Sequence, residues 1–101
     1  MSEEEQFYFD CLNRRVEEVK LSLKKEFNKE WRNEFGETPF YIACENGNVE
    51  IMQLLLENGA DPQMKTNDGV TSLEIACENE KYHIVLFLLN FNVEITEECV
   101  G

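Results

Sequence analysis

A self-similarity with a period of 33 residues constrains this chain more than any other feature. Gly36 recurs as Gly69, Thr38 as Thr71, Ala43 as Ala76 and Cys44 as Cys77. Glu45 and Asn46 recur as Glu78 and Asn79, and Leu55 as Leu88. A fixed period in the range of about 20–50 residues marks a stack of short units, none of which can bury its own apolar face alone.

The best-formed unit runs from Gly36 to Asp61. Thr38 is a natural N-cap, and Pro39 suits the first helical position, where its missing N–H costs nothing. Phe40, Ala43 and Cys44 fall at i, i+3 and i+4 and share one helical face. Gly47 can end that helix in the left-handed conformation. Asn48 can cap a second helix over Val49–Glu57, with Ile51, Met52, Leu54 and Leu55 at helical spacing and Gly59 as its stop. Asp61-Pro62 and Asn67-Asp68-Gly69 are turn chemistry, which predicts a hairpin-like finger between units.

An earlier, degenerate copy covers Glu5 to Asn28, with Phe7, Tyr8 and Cys11 standing under Phe40, Tyr41 and Cys44. Arg14 and Glu26 replace its two glycines, as suits a terminal unit with one neighbour. Trp31 falls in the connector, where it is expected to pack across the base of the finger. In the later copy, Thr71-Ser72-Leu73-Glu74 forms a capping box in place of Thr-Pro. Glu80 stands where Gly47 stands and is strained by about 1 kcal/mol if left-handed. Asn92 stands in for Gly59 and tolerates that conformation better.

Thr38-Pro39-Phe40-Tyr41-Ile42-Ala43 resembles the Thr-Pro-Leu-His-x-Ala signature of ankyrin repeats, which share this period. The resemblance covers roughly residues 5–95. It implies an all-α solenoid of about three helix-turn-helix units joined by hairpin-like finger loops. The units are expected at 4–32, 33–65 and 66–95, followed by a tail at 96–101. Tyr41 and Glu74 occupy the position of the signature's His; in the family that His hydrogen-bonds within the stack, a contact the resemblance does not carry over to Glu74.

The resemblance implies a non-catalytic protein-binding module whose recognition positions flank the finger glycine and end the first helix. In this sequence those positions are Leu12 and Asn13; Arg32, Glu34, Phe35, Glu37, Glu45 and Asn46; and Lys65, Asn67, Asp68, Val70, Glu78 and Asn79. Phe35 is the most telling, because aromatics dominate binding hot spots. It could instead pack along the adjacent finger. The alternative role is to cap or scaffold a longer array.

Charge narrows the partner. Nine basic residues against twenty-one acidic give a net charge of −12. That opposes contact with nucleic acid or anionic membrane and suits a basic protein partner, or simply a solvated acidic surface. The N-terminus lacks the basic and apolar regions of a secretory signal, and no stretch reaches the ~18 apolar residues of a membrane span. A cytoplasmic or nuclear location is expected.

Cys11, Cys44 and Cys77 share one repeat position. A disulfide needs Cα atoms about 4.4–6.8 Å apart, whereas stacked helices sit at about 8–10 Å. Zinc needs four clustered ligands, and no Cys-x-x-Cys spacing exists. Small, buried, reduced thiols are the favoured reading, with Cys99 as a reactive tail residue. No catalytic, metal-binding or cofactor-binding set emerges, and His83 reads as an exposed polar residue. Leu86 and Phe91 are apolar at outward positions. The chain is therefore expected to continue beyond Gly101 into another repeat, the competing account being self-association through the C-terminal repeat.

Overall fold

A computed structural model describes residues 1–90 of the protein. The described residues form six helices: α1 (Glu3–Leu12), α2 (Val16–Ser22), α3 (Pro39–Glu45), α4 (Val49–Glu57), α5 (Ser72–Glu78) and α6 (Tyr82–Asn90). They pair as α1·α2, α3·α4 and α5·α6, and α3 packs on both α1 and α5 while α2 packs on α4. The first helices of the pairs therefore form one layer and the second helices cover its outer side.

The caps are as the residue types require. The Thr38 and Thr71 side chains accept from the backbone N–H of Tyr41 and Glu74, each at 3.1 Å. Glu74 reaches back to the Thr71 N–H at 2.9 Å and completes the capping box. Ser2 caps α1 through Glu5 and Asn48 caps α4 through Ile51. Arg14 and Glu80 both have φ of 59°, beside 71° for Gly47 at the same repeat position. The Glu80 strain expected from the repeat register is thus present, and Arg14 shares it.

Equivalent residues fill equivalent space. Phe7, Phe40 and Leu73 form a buried ladder through the three units, with Cys11 and Cys44 beside it. From the outer helices Val19, Ile51, Met52, Leu55, Ile84 and Leu88 close the core. Each such side chain contributes about 1.5–3 kcal/mol on burial. Asp10 occupies the position of Ala43 and Ala76 and is buried too. It accepts from Gln6 Nε2 at 3.0 Å and pairs with Arg15 at 3.3 Å, so its charge is not left alone.

Cys77 departs from the expected pattern. It is half-buried and disulfide-bonded, whereas Cys11 and Cys44 are buried free thiols. The spacing of stacked helices keeps repeat equivalents from bridging one another, but it places no limit on a bridge elsewhere. Burial raises the Cys11 thiol to about 12, and raises Cys44 as well, against a hydrogen bond to Ser72 that lowers it. The expectations for Phe91, Asn92 and Cys99 lie outside the described residues.

Candidate partner-binding face

The fingers are built by short polar side chains folded back on their own backbone. Asn33 Oδ1 accepts from the N–H groups of Phe35 at 2.9 Å and Glu37 at 3.0 Å. One unit later Thr66 Oγ1 accepts from the Val70 N–H at 3.2 Å. The turns close through Gly36 N–H to the Asn33 carbonyl and Gly69 N–H to the Thr66 carbonyl, with φ of 79° and 80° at the two glycines. An antiparallel bridge between Lys65 and Thr71 makes the second finger a hairpin, as expected from its turn residues.

A second apolar cluster seats these fingers on the first helices. Tyr8, Tyr41 and Ile42 are its buried members, with Leu12, Trp31, Val70 and Ile75 packed against them. Trp31 meets Tyr8 edge-to-face at 5.5 Å, so it does pack at the base of its finger. The surface formed by fingers and first helices is thus distinct from the outer layer of α2, α4 and α6.

That surface is acidic. Glu45, Glu37, Glu78 and Asp68 all act electrostatically on Tyr41, and burial together with those four carboxylates raises its phenol to about 12. Burial, then Glu37, also pushes Glu45 above the usual carboxylate range. Among the described residues none of the four carboxylates is in an ion pair; the pairs formed are Arg15–Asp10 and Lys20–Glu17, on the first unit. Phe35 stands 61% exposed at the tip of the first finger.

Residues 8–99 match the family described as ankyrin repeats (3 copies). The chain belongs to the ankyrin-repeat family. Ankyrin repeats are generally non-catalytic modules of protein–protein interaction. None of the curated proteins compared with the chain matches it.

Within this ankyrin stack the recognition positions divide into two kinds. Glu34, Phe35, Asp68 and Glu78 present exposed side chains, and Glu37, Glu45 and Val70 are half-buried beside them. Leu12 is also half-buried, in the cluster under the fingers. Several others hold repeats together. Arg32 donates to the Lys65 carbonyl at 3.0 Å, Asn67 Nδ2 to the Glu34 carbonyl at 2.9 Å, and Asn79 Nδ2 to the Glu45 carbonyl at 3.3 Å. The Asn46 carbonyl accepts from Arg14 at 3.0 Å, and Asn13 Nδ2 turns back to the Phe9 carbonyl at 2.9 Å. His83 is exposed, as expected, and also donates through Nε2 to the Gly47 carbonyl at 3.1 Å.

Asn33 was not among the expected residues, yet it shapes the finger that carries Phe35. The signal was present in its place: an Asn three residues before a turn glycine favours such a fold-back. Among the described residues no group of three or more His, Cys, Asp or Glu is placed to hold a metal ion. No described helix is long and apolar enough to cross a membrane.

Proposed function

We infer that this ankyrin-repeat protein binds a protein partner with a basic surface through its concave face, formed by the fingers and first helices. The observation that supports this reading is the group of Glu37, Glu45, Asp68 and Glu78, which lacks ion-pair partners among the described residues, beside the exposed ring of Phe35. Carboxylates left unpaired on one face steer a basic partner toward it and fix its register. A large exposed aromatic supplies the apolar anchor. No catalytic constellation among the described residues competes with this reading.

The test is a pulldown comparing the wild-type chain with a Phe35→Ala, Glu45→Arg variant, with circular dichroism confirming the fold of both. The variant is expected to lose partners that the wild type retains, and wild-type binding is expected to weaken as salt screens the charges. Retention of the same partners by the folded variant contradicts the proposal.

One observation favours a second reading, in which the stack continues or pairs. Tyr82 and Leu86 are 59% and 64% exposed one turn apart on α6. In a solenoid, such a stripe is the face that accepts a neighbouring repeat, from the same chain or a second copy. Sizing of the isolated chain at micromolar concentration separates the two.

A further inference from the structure

Cys11, Cys44 and Cys77 stand at one repeat position, but their surroundings differ. Cys11 and Cys44 are 1% and 0% exposed and are free thiols. Cys44 is hydrogen-bonded with Ser72 on α5, so this position looks toward the following unit. By the same register Cys77 looks out of the third unit, onto the end of the described stack. It is half-buried there, and so is Val85 on α6. The equivalents of Val85 in the earlier units, Val19 and Met52, are 0% exposed. Cys77, Val85 and the half-buried Leu89 thus form an apolar end face packed on the core from one side.

The bonded state of Cys77 says what comes to this face. The chain has four cysteines, and Cys77 is disulfide-bonded. Cys11 and Cys44 are free, which leaves Cys99 to pair with it. The reach allows the bond. Helix α6 has nine residues and is about 13 Å long. Cys77 lies at the end of α5 beside the start of α6. Returning from Asn90 to Cys77 means running back the length of α6 and crossing one helix spacing of about 8–10 Å. The nine residues from Asn90 to Cys99 extend to about 30 Å, which covers that path with slack. The sequence of the returning segment suits the face. Phe91, Val93 and Ile95 alternate with Asn92, Glu94 and Thr96, the pattern of an extended segment with one apolar side.

We propose that Cys77 and Cys99 form a redox clip that draws residues 91–98 over the end face, with Phe91, Val93 and Ile95 laid against Val85 and Leu89. The clip closes with a low-molecular-weight disulfide as oxidant. The two cysteine thiols give up two protons and two electrons, the Cys77 Sγ–Cys99 Sγ bond forms, and the oxidant's S–S bond is cleaved to two thiols. Excess thiol runs the exchange backwards and bares the face. Where thiol reductants are abundant, such a pair is a sensor rather than a permanent staple. Cys11 and Cys44, sealed between units, take no part. The clip is independent of the concave-face reading, because it acts at the end of the stack.

The test equilibrates the full chain with reduced glutathione and, separately, with glutathione disulfide. Peptide mapping without reduction is expected to find Cys77 joined to Cys99 within one chain in the oxidised sample, with Cys11 and Cys44 still thiols. Amide spectra are expected to show Val85 and Leu89 shifted on oxidation. Hydrogen exchange along α6 should slow by about tenfold or more, as a closed loop of this size restrains local opening. Cys99→Ser, a change outside the packed core, is expected to keep the reduced-state spectrum and exchange rates in both buffers. Cys77 remaining a thiol in glutathione disulfide, or bridging two copies of the chain, overturns the clip. A Cys77–Cys99 bond that leaves the Val85 and Leu89 amides unmoved overturns the covering of the end face. Slowed exchange in oxidised Cys99→Ser overturns both.

Discussion

The backbone N–H of Asn67 donates to the Phe35 carbonyl at 3.0 Å, so the tip of one finger is tied to the next. The Asn67 side chain reinforces this through the Glu34 carbonyl. The contact is close enough that a Cβ on Gly36 would meet the Asn67 backbone nitrogen at 2.8 Å, at a φ of +79° that already penalises a side chain. Asn67→Ala is expected to cost about 1 kcal/mol of stability. Gly36→Ala is expected to cost about 2 kcal/mol or more, because conformational strain and collision add. Urea unfolding checks both, and Gly36→Ala behaving like wild type would contradict the described finger packing.

Glu80 offers the opposite prediction. Its φ of 59° is unfavourable for a side chain. Glu80→Gly is expected to stabilise the protein by about 0.5–1 kcal/mol, the relief being partly offset by the greater freedom of glycine in the unfolded chain. Arg14→Gly should gain less despite the same φ, because it gives up the bond from Arg14 to the Asn46 carbonyl. Thermal unfolding of the two variants side by side measures the difference.

Much of this was legible in the sequence, for a local reason. Thr38, Pro39, Asn48 and Thr71 act on backbone groups within one helical turn, so residue type and spacing suffice to assign them. Arg14 and Glu80 were legible through their register with Gly47. The finger network was not, because Arg32, Asn67 and Asn79 bond to carbonyls in the preceding or following repeat, and no local pattern marks a side chain as engaged at that range. The disulfide state of Cys77 was missed for the related reason that repeat symmetry describes stacked equivalents alone.

Alkaline pH should reveal the burial of Tyr41. Its folded-state pKa is raised from the ordinary 10.0 to about 12, first by burial and then by Glu45, Glu37, Glu78 and Asp68. The native state therefore holds a proton that the unfolded chain releases earlier. The corresponding stability is fully present below pH 10 and is lost as the pH rises toward 12. Tyr41→Phe should flatten the decline of stability in that window, as followed by urea midpoints across pH. An unchanged slope would show that Tyr41 ionises freely in the folded protein.

The buried thiols give a third observable of the core. Cys11 and Cys44 are 1% and 0% exposed, and burial holds both in the protonated, unreactive form. Alkylation at either position is expected to proceed at the rate of unfolding, which peptide mapping after timed labelling can follow. Rapid modification of Cys44 in the native protein would contradict the described packing.

The concave-face account is tested most directly by where a partner touches. A photo-crosslinking amino acid is placed at Phe35 on the first finger and, in a separate variant, at Gln53, exposed on the outer helix α4. Both proteins are irradiated in an extract of the source cell, and their adducts are compared after confirming that each is folded. The account predicts a discrete protein adduct from position 35 that added salt suppresses, and none from position 53. Adducts from position 53 with position 35 silent would contradict it.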